Sequence, residues 1–273
     1  MKRILVPTDF SEHSEFALEV ACCIAKDKGS HIVLIHMMGL SETVYAKSEA
    51  QEYEEAMYYM KLARKRFKKV VDKPYAKGIK ITETVQNYKI FSEINTVAKE
   101  QNIDLIVMGS HGTKGLNEVF VGSNTEKVVR TSEVPVLVIK SPNPNFKINK
   151  MVFACDLKKE SLKPFINTSN LAKLFSAQIQ YLYINTPGEH FLSTHEIQVK
   201  AFEFMNNAKV DQNIIIYDDH TVERGILNYC EAQKVDVIAI PTHGRKGLSH
   251  FFLGSLGEDL ANHSKLPLLT FKI

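Results

Sequence analysis

"VMGSHGTKGLNEVFVGSNTEKVVR" (residues 107–130) runs from a short apolar segment into a turn holding Gly109, Gly112 and Gly115, and then into Gly122-Ser123 at the head of another segment. A second stretch of the same design, "AIPTHGRKGLSHFFLGSLGEDLAN" (residues 239–262), lies near the end of the chain. Gly112 aligns with Gly244, Gly122 with Gly254 and Ser123 with Ser255, all at an offset of 132. "VPVLVIK" (134–140) and "LPLLTFK" (266–272) keep that offset. Further back, "KRILVPTDFSEHS" (2–14) recurs as "NKMVFACDLKKES" (149–161), and "HIVLIHMM" (31–38) as "QIQYLYIN" (178–185). Here the offset is 147, which sets Asp9 on Asp156. The second copy is therefore 15 residues shorter, and the loss falls between its second strand and its glycine stretch. Units this long are domains, not solenoid repeats. "SPNPNFKIN" (141–149), broken by prolines and asparagines, separates them. The expected division is 1–141 and 149–273, with 142–148 as linker.

Each copy alternates short apolar runs with helical patterns. In the first, "RILVPT" precedes a helix with Phe16, Val20, Cys23 and Ile24 on one face. Ser11, or alternatively Ser14, serves as its N-cap, and Gly29 sits past its end. Strand 31–38, a long helix near 48–71, strand 79–86, helix 90–102, strand 103–109, helix 122–132 and strand 134–140 follow. Continuous apolar strands between helices predict an α/β fold, a parallel sheet covered on both faces.

In such a sheet, ligands sit beyond the carboxyl ends of the strands. Gly109, ending one strand, would let a ligand approach the backbone. Ser123 can cap the helix after Gly122, whose first N–H groups and positive dipole end suit a phosphate. Asp9, ending the neighbouring strand, can accept hydrogen bonds from a ribose or an adenine amine. The blander reading leaves the glycines shaping a turn and Asp9 capping a helix. No GxxxxGK[ST] occurs and no GxGxxG follows the first strand, which argues against a P-loop and against dinucleotide binding.

The spacing of Gly109, Gly112, Gly122 and Ser123, with "VPTDFS" at the first strand, resembles the universal stress protein family, twice over. The resemblance implies two tandem flavodoxin-like, adenine nucleotide alpha hydrolase-like domains. Each would be a five-stranded parallel sheet with helices on both faces, paired through their last strands as an intramolecular pseudo-dimer. A further homodimer is compatible with that arrangement. In ATP-binding members, the matching residues hold the nucleotide. Carried onto this chain they are Pro7, Thr8, Asp9, Met37, Met108, Gly109, Ser110, His111 and Gly112, with Gly122, Ser123 and Asn124 toward the phosphates. The cofactor implied is ATP, with or without magnesium. In the second copy Asp156, Gly244, Gly254 and Ser255 remain, but Pro241 replaces the first glycine, and proline brings no N–H. Nucleotide is therefore expected mainly in the first domain. The function implied is a stress-response regulator with little or no catalysis; a non-nucleotide-binding interaction scaffold and a slow ATPase or self-phosphorylating protein are the alternatives.

The remaining features fit that frame. The chain has 273 residues, 44% apolar and 24% charged, with a formal charge of +3. This suits a soluble, cytoplasmic protein that engages neither membrane nor nucleic acid. Cys22, Cys23, Cys155 and Cys230, without a CxxC pair, read as reduced core residues. The long helix begins acidic and ends basic, as its dipole prefers; its Tyr45, Tyr53, Tyr58, Tyr59, Met57 and Met60 are expected to pack it. His111 and its counterpart His243 read as loop residues near phosphate rather than as bases. His190, His195, Glu196, Asp218, Asp219 and His220 match no closed zinc motif.

Overall fold

The computed structural model describes residues 1–38, 49–87, 92–110, 123–188, 191–242 and 266–273. The first half is built from β1 (Arg3–Pro7), α1 (Glu12–Lys28), β2 (His31–Met38), α2 (Glu49–Val71), β3 (Ile81–Asn87), α3 (Ser92–Glu100), β4 (Leu105–Gly109), α4 (Ser123–Thr131) and β5 (Val136–Ile139). The second half follows with β6 (Lys150–Ala154), α5 (Leu162–Phe175), β7 (Gln178–Asn185), α6 (Thr194–Ala208), β8 (Ile214–Asp218), α7 (Val222–Gln233), β9 (Val237–Thr242) and β10 (Leu268–Lys272).

All ten strands join one sheet in the order β3-β2-β1-β4-β5-β10-β9-β6-β7-β8. Every pairing is parallel except the central one. There β5 and β10 run antiparallel, with Leu268 opposite Val138 and Thr270 opposite Val136. Each last strand would otherwise expose an apolar edge, and pairing them removes both edges. Across the seam, Thr270 Oγ1 donates to the Val136 carbonyl and Lys272 pairs with Glu133. On one face, Lys28 Nζ lies 5.6 Å from the Phe175 ring centroid, and Phe146 and Ile148 of the linker are buried.

Alternate residues of each strand feed two cores, one per face, as strand geometry dictates. Ile4 and Val6 join one cluster, with Phe67, Phe146, Phe153 and Phe165. Leu5 joins the other, with Val33, Ile106, Val138, Ile226 and Leu268. Both clusters draw on both halves, so the two copies share their hydrophobic interior.

Helix α1 has the ends expected of it. Ser11 caps it by accepting the Ser14 N–H, and Gly29 closes it at φ 63. Val20 and Ile24 are buried as expected, but Phe16 and Cys23 are only partly so, and Ala17, Ala21 and Cys22 complete the buried face. Small residues let this helix lie close on the sheet. Helix α2 departs further. Among its described side chains the buried ones are Ala63, Phe67 and Val70, all in its second half, whereas Tyr53, Met57 and Tyr58 are 68%, 49% and 65% exposed. The tyrosines therefore do not pack this helix onto the sheet; Tyr45 lies outside the described residues. Burial raises the thiols of Cys22, Cys155 and Cys230 to about 12, as inert core cysteines require.

Candidate functional site

Within the first half, the strand order reverses between β1 and β4: the chain builds outward one way through β2 and β3, and the other way through β5. Ligands of open α/β sheets bind at the carboxyl ends of the strands flanking such a reversal. Beyond β1, the backbone folds into a tight turn. Thr8 N–H donates to the Ile35 carbonyl at 2.8 Å, extending the ladder to β2. Thr8 Oγ1 accepts the Phe10 N–H at 3.0 Å, and Asp9 Oδ1 accepts the Ser11 N–H at 3.0 Å. Ser14 Oγ donates to the Ser11 carbonyl, so the 3.1 Å contact between the two hydroxyls has Thr8 as donor. Phe10 adopts φ 63, a costly conformation for a bulky side chain. Its ring compensates by packing 4.5 Å from His36 and 5.1 Å from Phe67, centroid to centroid.

His36 fixes this turn from β2. Its Nδ1 is 2.7 Å from the Thr8 carbonyl oxygen, which can only accept, so Nδ1 carries the proton. Burial lowers its pKa; the bond to Thr8 opposes that, Arg66 adds to it, and Asp9 opposes it. Met37, the next residue, is half-buried against the core. Pro7 lies opposite Ile35, so continuing the register sets Asp9 opposite Met37.

The β4 side carries Met108, Gly109 and Ser110, all buried. A Cβ on Gly109 would stand 2.5 Å from the His13 carbonyl oxygen and 2.6 Å from its carbon. The missing side chain is therefore demanded by α1, which passes β4 at backbone distance. Gly109 offers its own carbonyl to Thr125 Oγ1 at 2.7 Å, a buried bond that moors the first turn of α4 to the end of β4. Helix α4 is described from Ser123 onward, and Asn124 is exposed in its first turn. Thr125→Val, nearly isosteric, removes the donor and is expected to cost about 1–3 kcal/mol in urea unfolding. An unchanged midpoint would show that α4 is held by other contacts.

The second half reproduces the turn almost atom for atom. Cys155 N–H donates to the Leu182 carbonyl, Leu157 N–H to Cys155 Sγ and Lys158 N–H to Asp156 Oδ1. Leu157 adopts φ 60, matching Phe10. One difference is chemical. Cys155 stands where Thr8 offers a hydroxyl, and Ser161, the counterpart of Ser14, turns to donate to Asp156 Oδ1 at 2.7 Å. Lys158 adds its ammonium 3.5 Å from Asp156 Oδ2. Tyr183 stands where His36 does, its pKa raised by burial and then by Asp156 and Cys155. Pro241 is buried in β9 opposite Phe271. Pairing of β9 with β6 stops at Ala239, so the proline costs no ladder bond. It also leaves no N–H at that point.

Of the residues singled out from the sequence, Pro7, Thr8, Asp9, Met37, Met108, Gly109 and Ser110 lie at the carboxyl ends of β1, β2 and β4, with Ser123 and Asn124 in the first described turn of α4. His111, Gly112, Gly115, Gly122, His243, Gly244, Gly254 and Ser255 lie outside the described residues. Sequence reasoning missed His36 and Thr125, and named Ser14 only as an alternative helix cap. Thr125 had a local signal, a hydroxyl in the first turn after a glycine-serine pair; His36 had none. Among the zinc candidates, Glu196 closes a capping box with Ser193, Asn185 donates to Asp218 and Asn228 donates to Asp219. No group of three or more metal-ligating side chains occurs among the described residues, nor a helix long and apolar enough to cross a membrane.

Comparison with known proteins gives a consistent result. The profile of the universal stress protein family matches residues 1–140 and again 148–272. Universal stress protein MJ0577 of Methanocaldococcus jannaschii is 31% identical over 163 residues, spanning 52% of this chain and 96% of its own length. Universal stress protein Slr1230 of Synechocystis is 22% identical and matches over the whole of both chains. A crystal structure of a universal stress protein from Archaeoglobus fulgidus superposes with a TM-score of 0.70 at 22% identity, covering 99% of this chain and 98% of that one, which shows a shared fold.

Proposed function

The chain belongs to the universal stress protein family, and from that membership we propose that it is an adenine-nucleotide-binding regulatory protein whose first half holds the main site. The observation that carries this reading is the hydrogen-bonded turn Thr8–Asp9–Phe10 at the β1–β4 reversal, beside Gly109 and the moored start of α4. Asp9 is the acceptor for the nucleoside end. The crevice between β1 and β4 takes the base and ribose, with Pro7, Thr8, Met37 and Met108 as its apolar and backbone walls. Ser123 and Asn124, at the positive end of α4, face the phosphates. ATP is the nucleotide we propose, with magnesium as an optional companion of its phosphates.

Catalysis is proposed to be slow or absent. The hydroxyls of Thr8 and Ser14 are engaged in holding the turn, and His36 Nδ1 is committed to the Thr8 carbonyl. These groups therefore act as scaffold rather than as nucleophile or base. A signal carried by occupancy, not turnover, follows. Mass spectrometry of the small molecule released by gentle denaturation tests the reading. An adenine nucleotide is expected. A preparation that releases none and binds no added ATP, ADP or AMP would leave an interaction scaffold in its place.

A further inference from the structure

Helix α2 is described over 23 residues, against 15 for its counterpart α6, so the longer first copy carries the longer helix here. The extra length is not used for packing on the sheet. Between residues 53 and 62 no side chain is buried; burial begins at Ala63 and continues through Phe67 and Val70. A helical overhang without a buried stripe gains little from tertiary contact, yet this one displays Tyr53, Met57 and Tyr58 to solvent.

Opposite the buried stripe, Glu54, Tyr58, Lys61, Lys65 and Lys68 line up at helical spacing, all exposed. The first four members of that row are complementary to their own reverse. Laid antiparallel on a second α2 about a two-fold axis between residues 59 and 60, Glu54 meets Lys65 of the partner subunit. Tyr58 meets Lys61 of the partner subunit, a cation over an aromatic face. Each contact occurs twice, as an isologous interface requires. Met57 and the face of Tyr58 fill the middle, and the opposed helix dipoles add to the pairing. We propose that the outward face of α2 is a self-association surface that joins two copies of this chain, distinct from the β5–β10 seam inside each.

Analytical ultracentrifugation of the full chain, over a series reaching high micromolar concentration, tests this. Twice the chain mass is expected at the upper end. Tyr58→Glu and Lys65→Glu should each return the chain to monomer. Both positions are exposed, so circular dichroism and the unfolding midpoint should be unchanged. The double variant Glu54→Lys with Lys65→Glu swaps the charges on both copies and should restore the dimer. A wild-type chain that stays monomeric, a dimer indifferent to both single variants, or a swap that fails to restore association overturns the proposal.

Discussion

Gly109→Val is expected to destabilise the protein by about 3 kcal/mol or more and to disorganise the β1–β4 crevice along with it. The reason is steric and backbone-deep. Even a single Cβ would lie 2.5 Å from the His13 carbonyl oxygen, and no rotamer of a neighbour can relieve a clash with main-chain atoms. Helix α1 must then lift from β4, opening the interior around Ala17 and Ala21. Overpacking of this kind ordinarily costs about 1–3 kcal/mol; two further methyl groups and a buried backbone partner push it to the upper end. Chemical denaturation checks the loss. The mirror substitution, Pro241→Gly in the second half, removes a buried ring and creates a void instead of a backbone clash, so its cost is expected to be smaller. Equal tolerance of both changes would contradict the packing argument.

Asp9→Ala is expected to weaken ATP binding roughly ten- to a hundred-fold, the worth of one hydrogen bond to a charged group, while Asp156→Ala changes it little. Both carboxylates sit at the same place in their turns, yet their surroundings differ. Asp156 accepts from Ser161 as well as from the Lys158 N–H, and faces the Lys158 ammonium. A ligand arriving there must displace those partners. Pro241 removes a donor from the same crevice. Fold integrity of each variant is read from its unfolding curve, and affinity from calorimetry. A tight event lost with Asp156→Ala and kept with Asp9→Ala would reverse the assignment of the halves.

Several of these features could be read before any coordinates. The doubled pattern, the strand-ending aspartates and Pro241 are local in the chain, and the structure builds two alike half-sheets from them, joined along the strands that would otherwise be edges. The ends of α1 were legible because Ser11 and Gly29 act within one turn. What escaped is what depends on contacts between distant segments. Large residues draw the eye to Phe16 and Cys23, but close approach of α1 to β4 selects Ala17, Ala21 and Gly109. The tyrosines of α2 look like packing residues until the length of the helix beyond the sheet is known. His36 gains its role only because β2 brings it under the Thr8 carbonyl, and the engagement of Asp156 by Ser161 arises from a cysteine where the other copy has a threonine.

Calorimetric titration of the intact wild-type chain with ATP addresses the central claim most directly, because it counts sites. The account predicts a single tight event per chain, with any second event much weaker, as expected of two turns of which the second engages its carboxylate with the Ser161 hydroxyl and the Lys158 ammonium and carries Pro241 in place of a glycine. Two equivalent sites per chain, or none, would contradict it.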